Sequence, residues 1–170
     1  MARTINNTLT AALATIKENN DIQFIWQTGK YYYPQVTEAL RAAGELPNLY
    51  VTDFIKDMAA AYAASDLVIS RAGAGSISEF CLLHKPVVLV PSPNVAEDHQ
   101  TKNALALVDK QAAIYVKDSE AEAKLMDVAL NTVADDRKLK ELSENIAKLA
   151  LPDSARIIAQ EVIKLAEAEN

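Results

Sequence analysis

The sequence has one cysteine, two histidines, four glycines and only 6% aromatic residues, and each shortage removes a class of protein. Cys81 alone cannot close an internal disulfide, so the chain is not a disulfide-stapled secreted module. The simplest expectation is a reduced, cytoplasmic setting with Cys81 as a buried small hydrophobe. Two histidines and one cysteine leave too few ligands of the types zinc prefers, and no metal site is expected. Positive charge is also short: 17 Lys and Arg against 23 Asp and Glu give a net charge of −6 and a pI near 4.9. Nonspecific nucleic-acid binding needs the opposite balance, so no nucleic-acid partner is expected. No apolar run approaches the length of about 18 residues that spans a bilayer, and the N-terminus lacks signal-peptide character. A soluble chain is expected, with any membrane contact peripheral.

What is present is aliphatic. Half of the 170 residues are hydrophobic, with alanine dominant, which suits helices packed on a sheet. One α/β domain over 1–170 is expected, large enough to bury its own core. Ile5, Leu9, Leu13 and Ile16 share a helical face over 3–19. Residues 22–26 read as a strand that Gly29 ends, and 34–43 as a helix stopped by Gly44. A strand at 49–52 and a short helix at 58–64 follow. Two strand–helix units then span 67–84 and 87–110, before a strand at 113–116. The segment 120–168 is helical in three pieces, with Asp153 as an N-cap for the last. Strands alternating with helices predict a doubly wound, mostly parallel sheet. The chain opens on helix-patterned residues, whereas such units usually open on a strand and a Gly-rich turn.

The chemistry is concentrated between Ser65 and Asn103. Leu67-Val68-Ile69-Ser70 leads into Arg71-Ala72-Gly73-Ala74-Gly75-Ser76-Ile77-Ser78-Glu79. Pro86-Val87-Val88-Leu89-Val90 leads into a two-proline loop and then Asp98-His99-Gln100-Thr101-Lys102-Asn103. In an open parallel sheet, ligands sit at the strands' carboxyl ends beside the following helix N-termini. Glycines at 73 and 75 let backbone approach a diphosphate, and free N–H groups at a helix start attract it. Ser76 and Glu79 equally fit a capping box, and taken alone the pattern is more often a cap than an anion site. Glu79 would repel phosphate, so a functional role suits a sugar's vicinal hydroxyls better. Gln100 and Asn103 share one helical face, a donor–acceptor pair suited to sugar hydroxyls, while Asp98 reads as an N-cap. His99 reads as a surface histidine. The segment Thr52–Met58 has Asp57 as an N-cap and Phe54 or Ile55 as a hydrophobic staple, or else turns the Ile55 backbone toward a planar base. Tyr31, Tyr32 and Tyr33 read as an amphipathic surface patch. No Ser/His/Asp triad or base–nucleophile pair is evident.

Three segments in order, Phe54–Tyr62, Ser70–Ala74 with Ser78-Glu79, and Asp98–Ala104, resemble the C-terminal, donor-binding half of the MurG family. These are the peptidoglycan UDP-N-acetylglucosamine transferases of bacteria, GT-B glycosyltransferases that move GlcNAc from UDP-GlcNAc to lipid I. The resemblance implies a Rossmann-like GT-B domain in which the Ile55 backbone meets uracil. Ala74, Gly75, Ser76, Ile77 and Ser78 lie around the diphosphate, and Glu79 binds the ribose. Gln100, with Asn103 beside it, holds the GlcNAc, and Arg71 braces the loop. It implies no cofactor beyond the donor UDP-GlcNAc, and no catalytic residue in this half. Lipid I, the general base and docking on the inner face of the membrane belong to an N-terminal half that the resemblance does not cover. The chain also departs from the pattern where a first strand and a Gly-Gly-Ser-x-Gly-Ala turn are expected. That strand would lie between 22–27 and 67–70, so its loss predicts unpaired edges, lower stability, direct pairing of the flanking strands, or self-association. The alternative function is a stand-alone donor-binding subunit completed by a separate acceptor-binding partner. A UDP-GlcNAc epimerase fits less well, because no acid–base pair is seen.

Overall fold

The computed structural model describes residues 2–93 and 98–168. In chain order it comprises α1 (Arg3–Ala11), α2 (Leu13–Glu18), β1 (Phe24–Gln27), α3 (Tyr33–Ala43), β2 (Leu49–Thr52), α4 (Met58–Ala64), β3 (Val68–Ser70) and α5 (Ala74–Leu82). There follow β4 (Val87–Leu89), α6 (His99–Val108), β5 (Ile114–Tyr115), α7 (Ala121–Val133), α8 (Asp136–Ala147) and α9 (Ser154–Ala168). The helix expected over 3–19 is two helices, broken at Ala12. Gly44 ends α3 in the left-handed region at φ 81°, a conformation glycine adopts without strain. Of the three tyrosines, Tyr31 is open to solvent, but Tyr32 packs against the core.

Every strand pair is parallel. β4 is the centre of the fold because its residues are buried on both faces. Val88 and Val90 join one apolar cluster, and Val87 and Leu89 join another. The period of two thus sends alternate side chains into two separate cores, as a doubly covered strand requires. On the first face lie Ile5, Leu9, Leu13 and Ile16 of α1 and α2, Val36 of α3, and Leu125 and Met126 of α7. On the second lie Phe80 and Cys81 of α5, Ala104 and Leu107 of α6, and Ile146 of α8.

The sheet comes in two pieces, β1-β2 and β3-β4-β5. Among the described residues β1 does not pair with β3, so direct closure by the flanking strands does not occur. Side chains join the pieces instead: Phe24, Trp26, Leu67, Ile69 and Val88 all belong to the first cluster. Polar groups of the first helix add the register. Asn6, 2% exposed, accepts from Trp26 Nε1 at 2.9 Å and donates to the Thr28 carbonyl at 2.9 Å. The other face of β1-β2 stays open, with Ile25 and Tyr50 exposed, and α9 exposes Ile158, Val162 and Leu165.

Replacing Asn6 by leucine keeps the volume but strands the Trp26 N–H and the Thr28 carbonyl without partners. We expect a loss of about 2–4 kcal/mol. Urea unfolding checks it: the midpoint falls while the slope stays constant.

Candidate functional site

The residues that follow β3, β4 and β5 are held together by Arg71. Its Nη1 donates to the carbonyls of Val90 at 3.0 Å and Pro91 at 3.2 Å, and it forms an ion pair with Asp118. Asp118 lies just beyond β5 and also accepts from Thr4 Oγ1 at 2.9 Å. Thr4 and Asn6 therefore tie the first turns of α1 to the exits of both sheets, Asp118 on one side and Thr28 on the other. This places the two sets of carboxyl ends on one edge. Arg71 braces the loop, as the resemblance implied. Asp118 and Thr4 were not singled out, since only the fold reveals that they meet.

At that edge α5 begins at Ala74, with Gly73 in the N-cap position in extended conformation and no side chain capping it. The capping box expected from Ser76 and Glu79 does not form, because the helix starts too early: Ser76 is already its third residue. The N–H groups of Ala74, Gly75 and Ser76 are those that helix geometry leaves without intrahelical acceptors. They carry the positive end of the helix dipole. Ile77 is already inside the helix, donating to the Gly73 carbonyl at 3.0 Å, and Ser78 Oγ turns back to the Ala74 carbonyl. Glu79 is exposed and accepts from the Tyr62 hydroxyl through Oε2 at 3.1 Å.

Gln100 and Asn103 knit the same edge. Gln100 Oε1 accepts from the Ser92 backbone at 2.9 Å, and Asn103 Nδ2 donates to the Ala72 carbonyl at 3.2 Å. Both loops that follow β3 and β4 are thus anchored to α6, although residues 94–97 lie outside the described residues. Asp98 is not the expected cap. It takes a left-handed conformation at φ 55°, and its side chain makes no cap bond.

Ile55 sits apart from these groups. It lines an open cleft of about 590 Å³ with Ile25, Tyr50, Phe54, Ala60 and Ala64, a cleft that does not include residues 74–79, Gln100 or Asn103. Its N–H donates to Gln27 Oε1 at 2.8 Å, so a base could reach that donor only by displacing Gln27. Asp57 caps α4 as expected, accepting from the Ala60 N–H at 2.9 Å, while Phe54 is 61% exposed and staples nothing. The link between this loop and α5 is Tyr62. Its ring meets Phe80 edge-on at 5.8 Å, and its hydroxyl reaches Glu79. Burial, the bond to Glu79 and the charge of that carboxylate push the Tyr62 phenol up to about 12. Burial also pushes the Cys81 thiol up, which keeps it protonated and unreactive. Among the described residues no three His, Cys, Asp or Glu side chains gather as a metal would need.

Parallel strands under two helical layers, with an unfilled helix start at their carboxyl edge, define a Rossmann-like α/β domain. The model of the glycosyltransferase family 28 C-terminal domain matches residues 1–158, and the chain belongs to that family. It is 99% identical over 169 residues to a UDP-N-acetylglucosamine–N-acetylmuramyl-(pentapeptide) pyrophosphoryl-undecaprenol N-acetylglucosamine transferase of Bacteroides thetaiotaomicron. A protein of the same name from Bacteroides fragilis is 79% identical over 166 residues. The matches cover 99% and 98% of this chain but only 45% and 44% of those proteins, so the chain spans less than half their length. The crystal structure of Acinetobacter baumannii MurG superposes with a TM-score of 0.80 at 26% identity, over 96% of this chain and 48% of that one.

Two outcomes test the edge. Asp118→Asn removes the negative charge beside Arg71 while keeping an acceptor oxygen, and losing a part-exposed ion pair of this kind should cost about 1–3 kcal/mol. Urea midpoints in low and high salt check it, with the gap to wild type narrowing as salt screens the pair. Because the Tyr62 phenol is raised by folding, its stabilisation is complete below pH 10 and is lost as pH climbs from 10 toward 12. Alkaline unfolding of wild type against Tyr62→Phe should show that extra loss only in wild type.

Proposed function

We propose that this chain is the UDP-GlcNAc-binding half of a glycosyltransferase that adds GlcNAc to lipid I in peptidoglycan synthesis. The observation that carries the reading is the start of α5: three backbone N–H groups with no capping side chain, a carboxylate one turn further on, and two amide side chains on the neighbouring helix. The N–H groups of Ala74, Gly75 and Ser76, with the Ser76 hydroxyl, take the diphosphate. Glu79 accepts from the ribose hydroxyls, Gln100 and Asn103 meet the sugar, and uracil takes the Ile55 N–H by displacing Gln27 from it. The names of the Bacteroides transferases, 99% and 79% identical over this stretch, support the same substrates.

In this reaction the bond between the sugar's anomeric carbon and the diphosphate oxygen breaks. An acceptor hydroxyl oxygen bonds to that carbon from the opposite face, and its proton passes to a base outside this chain. UDP leaves with the electron pair. Donors fixed at the helix start stabilise the charge that grows on the leaving diphosphate, and they need no reorganisation as it grows. In the Bacteroides relatives the matching sequence lies within a longer single polypeptide, which favours this reading over a stand-alone subunit. Among the described residues no helix is long and apolar enough to cross a membrane. Acting on a lipid-linked acceptor, the longer enzyme would work as a peripheral protein at the cytoplasmic face of the membrane.

Calorimetry on the chain with UDP-GlcNAc, UDP and GDP tests the proposal. UDP-GlcNAc and UDP should bind, with GDP at least about tenfold weaker, and Glu79→Ala should weaken UDP by about tenfold, the worth of one charged hydrogen bond. Equal affinity for GDP, or no binding of any of the three, contradicts it.

A further inference from the structure

We propose that Tyr62 is a positioning residue for ribose recognition, its hydroxyl holding the Glu79 carboxylate in the orientation that receives the sugar's vicinal hydroxyls. The proposal rests on the ribose role assigned to Glu79 above and deepens it.

Glu79 is exposed on α5, and an unrestrained glutamate there samples many rotamers that a ligand would have to freeze. The Tyr62 hydroxyl removes much of that freedom by donating to Oε2 at 3.1 Å, which leaves Oε1 to other partners. The tyrosine can do this because it is itself fixed. Its ring stands at 90° to Phe80, which is 1% exposed, and it packs against the second apolar cluster. Phe80 is the residue next to Glu79, so the same short stretch of α5 supplies both the anchor for the ring and the acceptor for its hydroxyl. The donor role is secure across the physiological range, since the phenol gives up its proton only near pH 12. Tyr62 also lies on α4, the helix that leaves the Ile55 loop. One hydroxyl thus connects the element that follows the base-facing loop with the helix that faces diphosphate and ribose. A tyrosine that merely packed the core would not require a carboxylate at this spot.

The test uses the full-length Bacteroides thetaiotaomicron transferase, which is 99% identical to this chain over 169 residues. Calorimetry compares UDP with 2′-deoxy-UDP in wild type, at the Tyr62 position changed to phenylalanine (Tyr62→Phe), and with Glu79→Gln. Wild type should prefer UDP, and Glu79→Gln should erase most of that preference. Tyr62→Phe should weaken UDP by about three- to tenfold, the scale of one side chain left to be ordered by the ligand. It should weaken 2′-deoxy-UDP far less, so the ratio between the two falls. Partial unfolding cannot imitate this, because it would lower both affinities alike. If Glu79→Gln collapses the ratio and Tyr62→Phe leaves it at the wild-type value, Tyr62 does not position the carboxylate and the ribose assignment stands. If wild type shows no preference, or Glu79→Gln leaves it intact, the ribose assignment fails and this inference falls with it.

Discussion

Everything at the candidate site depends on the first turns of α1 holding two separate sheets to a common edge. Thr4 reaches Asp118 beyond β5, and Asn6 reaches Thr28 beyond β1. Among the described residues β1 and β3 do not pair, and no backbone ladder enforces that alignment. Side-chain hydrogen bonds and one mixed apolar cluster do so instead. Arg71 completes the frame by drawing the exits of β3, β4 and β5 onto one guanidinium. A part-buried cation with carbonyl and carboxylate partners is directional in a way that apolar packing is not. It fixes where loops go, while the cores fix only which faces meet.

On that frame the site is made mostly of backbone. The N–H groups at the start of α5 need no side chain to be attractive to an anion, and the missing cap is what keeps them available. The polar side chains nearby play two parts. Gln100 and Asn103 each bond to the backbone of an adjoining loop, so they shape the edge as well as offering amides to a sugar. Glu79 and Tyr62 restrain one another. The opposite end of the sheet contrasts with this: in a smaller cleft of about 320 Å³, Lys85 is bonded to the Ser65 carbonyl and Ser143 to the His84 carbonyl. Nothing there resembles a helix start waiting for a ligand.

Much of the fold was legible because burial writes a short-range pattern. The run Val87–Val90 announces a strand covered on both faces, Gly44 stops its helix, and Asp57 caps the next one. What misled was phase. Ser76 and Glu79 have the spacing of a capping box, but whether a box forms depends on where the helix begins, and Gly73 takes the cap position three residues earlier. Asp98 has the chemistry of a cap but a left-handed backbone, and its side chain makes no cap bond. Long-range pairs were invisible for a different reason. Arg71 meets Asp118 across 47 residues and Thr4 meets Asp118 across 114, and no local spacing encodes either. The resemblance implies that the Ile55 backbone meets a base, and the engagement of its N–H by Gln27 emerges only once β1 and β2 are seen side by side.

The central claim is that one edge of this domain receives a uridine diphosphate sugar. Nitrogen-15 NMR of the chain titrated with UDP tests it most directly, since each backbone amide reports its own environment. The account predicts the largest shifts at Ala74, Gly75 and Ser76, with Ile55 and Gln100 following along the same binding curve. Shifts centred on Ser65, His84 and Lys85 at the far edge, or none at the start of α5 at saturating UDP, would contradict it.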